Sequence, residues 1–170
     1  MQLLQLQFDM KTKKPLKITR DTREQDGCGW TFDAPQYDPK PVLTVKTLTT
    51  GDYSLTGLEH LVCVERKEMQ DLVGCLGAGR ERFERELERM RSMESACVIV
   101  EGPQLQLQGG NYRGALNPLA AWQSVLSFAA RYRVPWFFCR DKYEAERCAY
   151  DYLRHYANEA YRRLKALVGE

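Results

Sequence analysis

A chain of 170 residues and 19.7 kDa has the length of one domain and can bury roughly 70% of its unfolded surface, so it needs no covalent staples to fold. Hydrophobic residues make up 44% and charged residues 28%, the balance of a soluble globular protein, and no apolar run approaches the ~18 residues of a membrane span. The net charge of +2, from 25 Lys plus Arg against 23 Asp plus Glu, neither announces nor excludes nucleic-acid binding, because acids gathered at a metal site would offset a basic surface.

Taken in chain order, MQLLQLQFDM lacks the layout of a secretory signal, since its apolar residues alternate with Gln and the basic residues follow it. A cytoplasmic protein is expected. LLQLQF reads as a strand by its alternation, and PLKITRD as a short β-branched strand ending in charge. GCGWTFDAPQYDPKP is rich in Gly, Pro and Asp and reads as a loop. VLTVKTL is a strand, TTGDYS a turn, and LVCVERK a strand that breaks abruptly into charge.

EMQDLVGCL predicts about two helical turns, interrupted by GAG; RERFERELERMR then places Phe83, Leu87 and Met90 on one helical stripe. ACVIVEG is a continuous apolar strand of the kind buried on both faces. GPQLQLQGGNYRGALNP reads as a loop that ends on Asn117 as helix cap and Pro118 at the first helical position. LAAWQSVLSFAARY is a helix, VPWFFC another buried strand, and 142–168 a long helix with Ala145, Cys148, Tyr152, Tyr156, Ala160 and Leu164 on its stripe. The late strand–helix alternation predicts an α/β domain with parallel pairs, while the closely spaced early strands suit antiparallel pairing.

The residues that carry chemistry are Gly51-Asp52, twelve intervening positions, then Glu65-Arg66-Lys67 and Asp71. Two apart on a strand, Glu65 and Lys67 emerge on one face, and Arg66 points the other way. A hairpin brings Asp52 beside Glu65, and Asp71, four residues after Lys67 near the start of the next helix, can face back toward them. Paired carboxylates repel each other and attract a hard cation; magnesium takes oxygen ligands, polarises a phosphate and acidifies a bound water, and an adjacent lysine stabilises the charge that develops. Charges merely solvated at a strand end would have little reason to cluster this way. The six cysteines, several of them inside apolar runs and none in a CxxC pair, read as reduced core thiols, and two histidines are too few for a histidine-based metal mechanism.

These motifs resemble the PD-(D/E)XK nuclease superfamily, with Asp52 as first acid and Glu65-Arg66-Lys67 as the ExK element, and more closely the XPF family of structure-specific endonucleases. Gly51-Asp52…Glu65-Arg66-Lys67…Asp71 is similar to that family's GD-x(n)-ERK-x3-D signature, Asp21-Thr22-Arg23-Glu24 to its DTRE element, and Gly79-Arg80 to its next basic element. The resemblance runs from about residue 16 to 140. It implies a restriction-endonuclease-like α/β fold, a mixed central sheet flanked by helices, over a single nuclease domain 1–170 whose last helix spans 142–168. It implies Asp21, Asp52 and Glu65 as magnesium ligands, with manganese able to substitute, Glu24 as a further acid, Lys67 as the catalytic lysine, and Arg66 and Asp71 as supporting residues. It also implies DNA as partner, branched, flapped or forked, in repair, recombination or replication, and a homodimer. After the nuclease segment no tandem helix-hairpin-helix follows, which suits a stand-alone bacterial or phage form.

Some features stay open between two readings. Arg23 and Arg80 either contact phosphate or make structural ion pairs. Arg82, Arg85 and Arg89 form a solvated face with support such as Glu81–Arg85 rather than a phosphate-tracking one, and Lys11, Lys13, Lys14 and Lys17 read as a solvated terminal segment. Trp122 and Trp136 read as core; Trp30 is either a packed loop residue or a platform for a base. The Tyr-rich last helix either caps the core or forms a twofold interface. A non-catalytic subunit of an XPF-type dimer is the alternative function, but such a subunit would be expected to lose Asp52, Glu65 or Lys67, and all three are present.

Overall fold

The computed structural model describes residues 14–24 and 27–169. The LLQLQF strand expectation and Lys11 and Lys13 lie outside them. Among the described residues, six strands form one mixed sheet in the order β2-β1-β3-β4-β5-β6. The strands are β1 (Lys17–Arg20), β2 (Val42–Val45), β3 (Tyr53–Leu55), β4 (Val62–Glu68), β5 (Ser95–Glu101) and β6 (Trp136–Cys139). The helices are α1 (Met69–Leu76), α2 (Arg80–Arg91), α3 (Gln104–Gln108), α4 (Pro118–Tyr132) and α5 (Lys142–Val168). This is the α/β architecture expected from the sequence: β4, β5 and β6 run parallel, and β3 pairs antiparallel with both β1 and β4. One early pair departs from the antiparallel expectation, because β1 and β2 are parallel.

The sheet is covered on both faces. On one, Cys63, Val98 and Val100 pack against α1, α2 and α4 through Leu72, Phe83, Leu87, Met90 and Phe128. On the other, Val62, Val64, Cys97 and Ile99 pack against α5 through Ala145, Ala149, Leu153 and Ala157. The period of two along β4 therefore assigns Cys63 to the first side and Val62 and Val64 to the second, and the charged residues that follow inherit that alternation. Because both faces are covered, ACVIVE needs no polar face, as the sequence led us to expect.

Local chemistry sets the element ends. Asn117 caps α4 by accepting from the Ala120 N–H at 3.1 Å, with Pro118 at the first position. Asp141 caps α5 by accepting from Glu144 N–H. Four expectations shift. The TTGDYS turn gives way at Tyr53 to β3, a strand of three residues too short for periodicity to show. The loop before Asn117 contains α3, whose single buried residue, Leu107, leaves hardly any helical pattern. VPWFFC is an edge strand rather than a buried one, with Phe137 37% exposed, since β6 pairs with β5 on one side. The buried line of α5 is Ala145, Ala149, Leu153 and Ala157, one position on from the expected stripe, and Cys148, Tyr152 and Tyr156 flank it half-buried.

The cysteines are free thiols: Cys63, Cys75, Cys97 and Cys139 are buried, Cys148 is half-buried and Cys28 exposed. No helix among the described residues is long and apolar enough to cross a membrane.

Candidate active site

The β3–β4 hairpin builds the site. The Asp52 N–H donates to Val64 O at 2.9 Å, which sets the turn against the strand, and the Arg66 N–H donates to Asp52 Oδ2 at 2.8 Å. Asp52 therefore lies against the backbone of the ERK segment, where the sequence placed it. Glu65 and Lys67, on the same side of β4, form an ion pair, and the ammonium of Lys67 lies 5.3 Å from the ring centre of Phe83 in α2. Both side chains are largely buried.

The electrostatics are those of an overfilled site. Burial, and after it the charge of Glu65, pushes the Asp52 carboxyl well above the usual carboxylate range. Burial likewise pushes Glu65 up, although Lys67 opposes it. Burial alone would lower Lys67, yet the charges of Glu65 and Asp52 hold it above an ordinary lysine, so it stays an ammonium. A buried Glu65 and a half-buried Asp52 answered by one ammonium leave an excess of negative charge when both are ionised, which a hard divalent cation would offset. Among the described residues no group of three or more His, Cys, Asp or Glu side chains could hold a metal ion unaided. An all-oxygen pair completed by water fits magnesium, which keeps several of its waters; it does not fit zinc held in a closed cage.

The DTRE turn divides into two parts. Asp21, expected as a metal ligand, has both carboxylate oxygens committed elsewhere. Oδ1 accepts from Arg23 N–H at 2.8 Å and Arg23 Nε at 2.6 Å, and Oδ2 accepts from Leu48 N–H at 2.6 Å and Arg23 Nη2 at 3.2 Å. Burial alone would raise its pKa, but these bonds hold it below the ordinary aspartate value. In this structure Asp21 acts as a strut that orients Arg23, whose guanidinium also reaches Leu48 O at 3.0 Å and stays largely exposed. Glu24 is the acid of this turn nearest the pair. It lies 3.4 Å from Arg66 Nη1 and accepts from Tyr53 OH at 3.4 Å, and its charge acts on both Asp52 and Glu65.

Arg66 points to the opposite side, as expected. It donates to Glu101 from Nε at 2.8 Å and from Nη2 at 3.0 Å, and to Glu68 from Nη2 at 2.7 Å. Trp30 is not a base platform. It is fully buried, stacked on Tyr53 at 4.8 Å, and donates from Nε1 to Glu101 at 2.6 Å. A buried Glu146 on α5 pins its loop by accepting from Thr31 N–H, Phe32 N–H and Tyr37 OH, so a segment that looks open in sequence is part of the core.

Asp71 sits on the exposed side of α1, and no hydrogen bond or ion pair joins it to Asp52, Glu65 or Lys67. Arg80 pairs with Glu84, donates to Ser124 Oγ at 2.9 Å and lies over the Phe128 ring at 4.5 Å, tying α2 to α4. The ion pairs within α2 are Arg80–Glu84, Glu86–Arg89 and Glu88–Arg91 rather than Glu81–Arg85. A cleft of about 490 Å³ lies away from Asp52 and Glu65, between the start of α1 and the loop around Tyr112 and Arg113. Gln70, one of its walls, is spent on pinning that loop through Arg113 N and O, so the cleft supplies few free groups for chemistry.

A family model described as the ERCC4 domain matches residues 20–151, most of the chain and the whole of the site just described. The chain belongs to the ERCC4 domain family. That family is one of DNA endonucleases, which bears out the resemblance read from the DTRE, GD and ERK motifs. Two solved structures share the fold. XPF from Aeropyrum pernix is 21% identical with a TM-score of 0.60, over 81% of this chain and 60% of that one. XPF from Aeropyrum pernix in complex with DNA is 19% identical with a TM-score of 0.63, over 85% of this chain and 66% of that one. The chain thus spans less than two thirds of either. No curated protein matches it in sequence.

One residue of this ERCC4 site escaped the sequence reading. Glu86, on α2, accepts from the Gly51 N–H at 3.1 Å, and its charge acts on Glu65 and Arg23. A signal was there: Glu86 is three residues after Phe83 and four before Met90, an acid on the edge of the buried stripe.

Proposed function

We propose that this ERCC4 domain is a metal-dependent endonuclease that hydrolyses DNA phosphodiesters, with Asp52 and Glu65 holding magnesium and Lys67 beside them. The observation that carries the reading is the carboxylate pair across the β3–β4 hairpin, Glu65 buried and Asp52 half-buried, with one ammonium to answer it. Magnesium bound there supplies an acidified water and charge neutralisation of the phosphate. Arg66 N–H fixes Asp52 through Oδ2, and among the described residues Oδ1 takes no hydrogen bond, so one oxygen stays open to the ion. Glu65 contributes the second carboxylate. Lys67 keeps its proton and offers Nζ to the charge developing on the phosphoryl oxygens. Arg23, oriented by Asp21 and exposed, is the phosphate contact best placed to fix the strand. Glu24 adds negative charge near the pair, whereas Asp21 has no free oxygen to give.

The same reading takes branched DNA as substrate, a homodimer as the working form, manganese as a substitute ion and the cytoplasm as location. The DNA complex of the Aeropyrum pernix XPF, on the same fold, supports DNA as partner. The test is cleavage of labelled single strand, duplex, 3′ flap, fork and nicked junction, each with magnesium, manganese or chelator, with Glu65→Gln alongside. Metal-dependent cutting of branched substrates that vanishes in Glu65→Gln is expected. Failure of the unaltered protein to cut any substrate with either metal would overturn catalysis in favour of a DNA-binding partner subunit.

A further inference from the structure

The turn that delivers Asp52 is tightly constrained, by β4 and by a residue of α2 that lies outside the recognised motifs. Gly51 is buried with φ +74°, a conformation that side chains rarely adopt, and a Cβ there would lie 2.8 Å from Cys63 Cβ. The turn is thus jammed against β4. On one side the Asp52 carbonyl accepts from Asp21 N–H at 2.8 Å, and on the other the Asp52 N–H is taken by Val64 O at 2.9 Å. The Gly51 N–H, one residue earlier, is answered by a side chain instead, Glu86 Oε1 at 3.1 Å. Glu86 is the most buried of the α2 acids engaged in ion pairs, at 18% side-chain exposure against 28% for Glu84 and 62% for Glu88. Its second oxygen is held by Arg89, which fixes the carboxylate's direction.

We infer that Glu86 is a positioning residue: α2 uses it to hold the Gly51-Asp52 turn at the distance from β4 that lets Asp52 and Glu65 share one cation. The inference rests on the reading of Asp52 and Glu65 as the metal-binding pair. Its substance is the hydrogen-bond acceptor rather than the charge, because the contact that Glu86 makes with the turn is to a backbone N–H. A buried amide left without an acceptor reorganises the turn or admits water, and either moves Asp52. Displacement of a catalytic group by about an ångström can cost on the order of a hundredfold in rate.

The test compares Glu86→Gln, which keeps an acceptor oxygen, with Glu86→Ala, which does not. Two readouts are taken on the full chain: steady-state cleavage with magnesium, and hydrogen exchange of the Gly51 amide without metal. In Glu86→Ala, kcat is expected to fall on the order of a hundredfold with KM for DNA within about twofold. The same variant should exchange the Gly51 amide about tenfold faster or more. Glu86→Gln should restore kcat to within about threefold of the unaltered protein and restore protection. Equal losses in the two variants would show that the charge acts rather than the acceptor and would overturn the assignment. So would normal kcat and normal protection in Glu86→Ala. If the unaltered protein cuts no DNA, the endonuclease reading has failed. The exchange measurement then decides alone: loss of protection in Ala and retention in Gln upholds the role in holding the turn, and equal protection in all three refutes it.

Discussion

Asp21 and Asp52 lie on neighbouring strand ends, joined by a backbone hydrogen bond from Asp21 N–H to Asp52 O, and the fold treats their side chains in opposite ways. Asp21 receives four hydrogen bonds and is held below the ordinary aspartate pKa. Asp52 receives one, sits half-buried beside Glu65 and is pushed well above it. A carboxylate saturated with donors stabilises its surroundings, while a buried carboxylate short of donors is poised for a cation. Residue type and nearness to the site do not separate the two; the donors around each do. The same division runs along β4, where Arg66 is saturated by Glu24, Glu68 and Glu101 while Glu65 and Lys67, on the other side, form a single ion pair with each other.

The sharpest way to break this comparison is Asp52→Asn. It should raise the barrier to cleavage by about 4 kcal/mol or more, a loss on the order of a thousandfold or more in rate, and leave the melting temperature unchanged or higher, because it removes one of two repelling carboxylates. A variant that melts early would move Asp52 to the structural side. Arg66→Met should act the other way: it strands Glu24 and Glu101, and the loss of stability should be about 3–5 kcal/mol in urea unfolding. A loss below about 1 kcal/mol would show that the network is no strut.

Asp21→Asn should cost about 1–3 kcal/mol at neutral pH through its lost charged hydrogen bonds. Its pH dependence is diagnostic. The folded pKa lies below the ordinary 3.8, so the stabilisation from ionised Asp21 is present above about pH 4 and lost as pH falls through the folded value. The gap in stability between the variant and the unaltered protein should therefore stay constant from pH 5 to 8 and close below about pH 4. A gap that instead widened toward acid would contradict a depressed pKa. Arg80→Ala should have the smallest effect: about 1 kcal/mol or less, from the lost contacts to Glu84, Ser124 and Phe128, with cleavage unaltered. A large drop in DNA affinity there would return Arg80 to the phosphate-binding reading.

Much of this was legible beforehand. The stripe Phe83, Leu87, Met90, the Asn117-Pro118 cap and the opposite directions of Arg66 and of Glu65 with Lys67 follow from periods of 3.6 and 2 and from local hydrogen bonding, all carried by adjacent residues. The early strands were harder. Three residues of β3 are too few to show alternation, and the parallel β1–β2 pair depends on a connection that the sequence reads only as a loop. Trp30 stayed open between a packed residue and a base platform because its loop is rich in Gly, Pro and Asp, whereas its burial involves Tyr53, Glu101 and Glu146, which are 23, 71 and 116 positions away.

By itself, then, the sequence determined most of the elements, the family resemblance and the placing of Glu65 and Lys67 on one side of β4 with Asp52 across the hairpin, because each rests on short-range spacing. Tertiary structure decided which acids are free. It turned Asp21 into a strut, brought Glu24 near the pair, left Asp71 on an exposed helix face and carried Glu86 to the Gly51 amide. The physical reason is that a carboxylate's availability depends on the donors and charges that surround it, and the packing of distant strands and helices sets these.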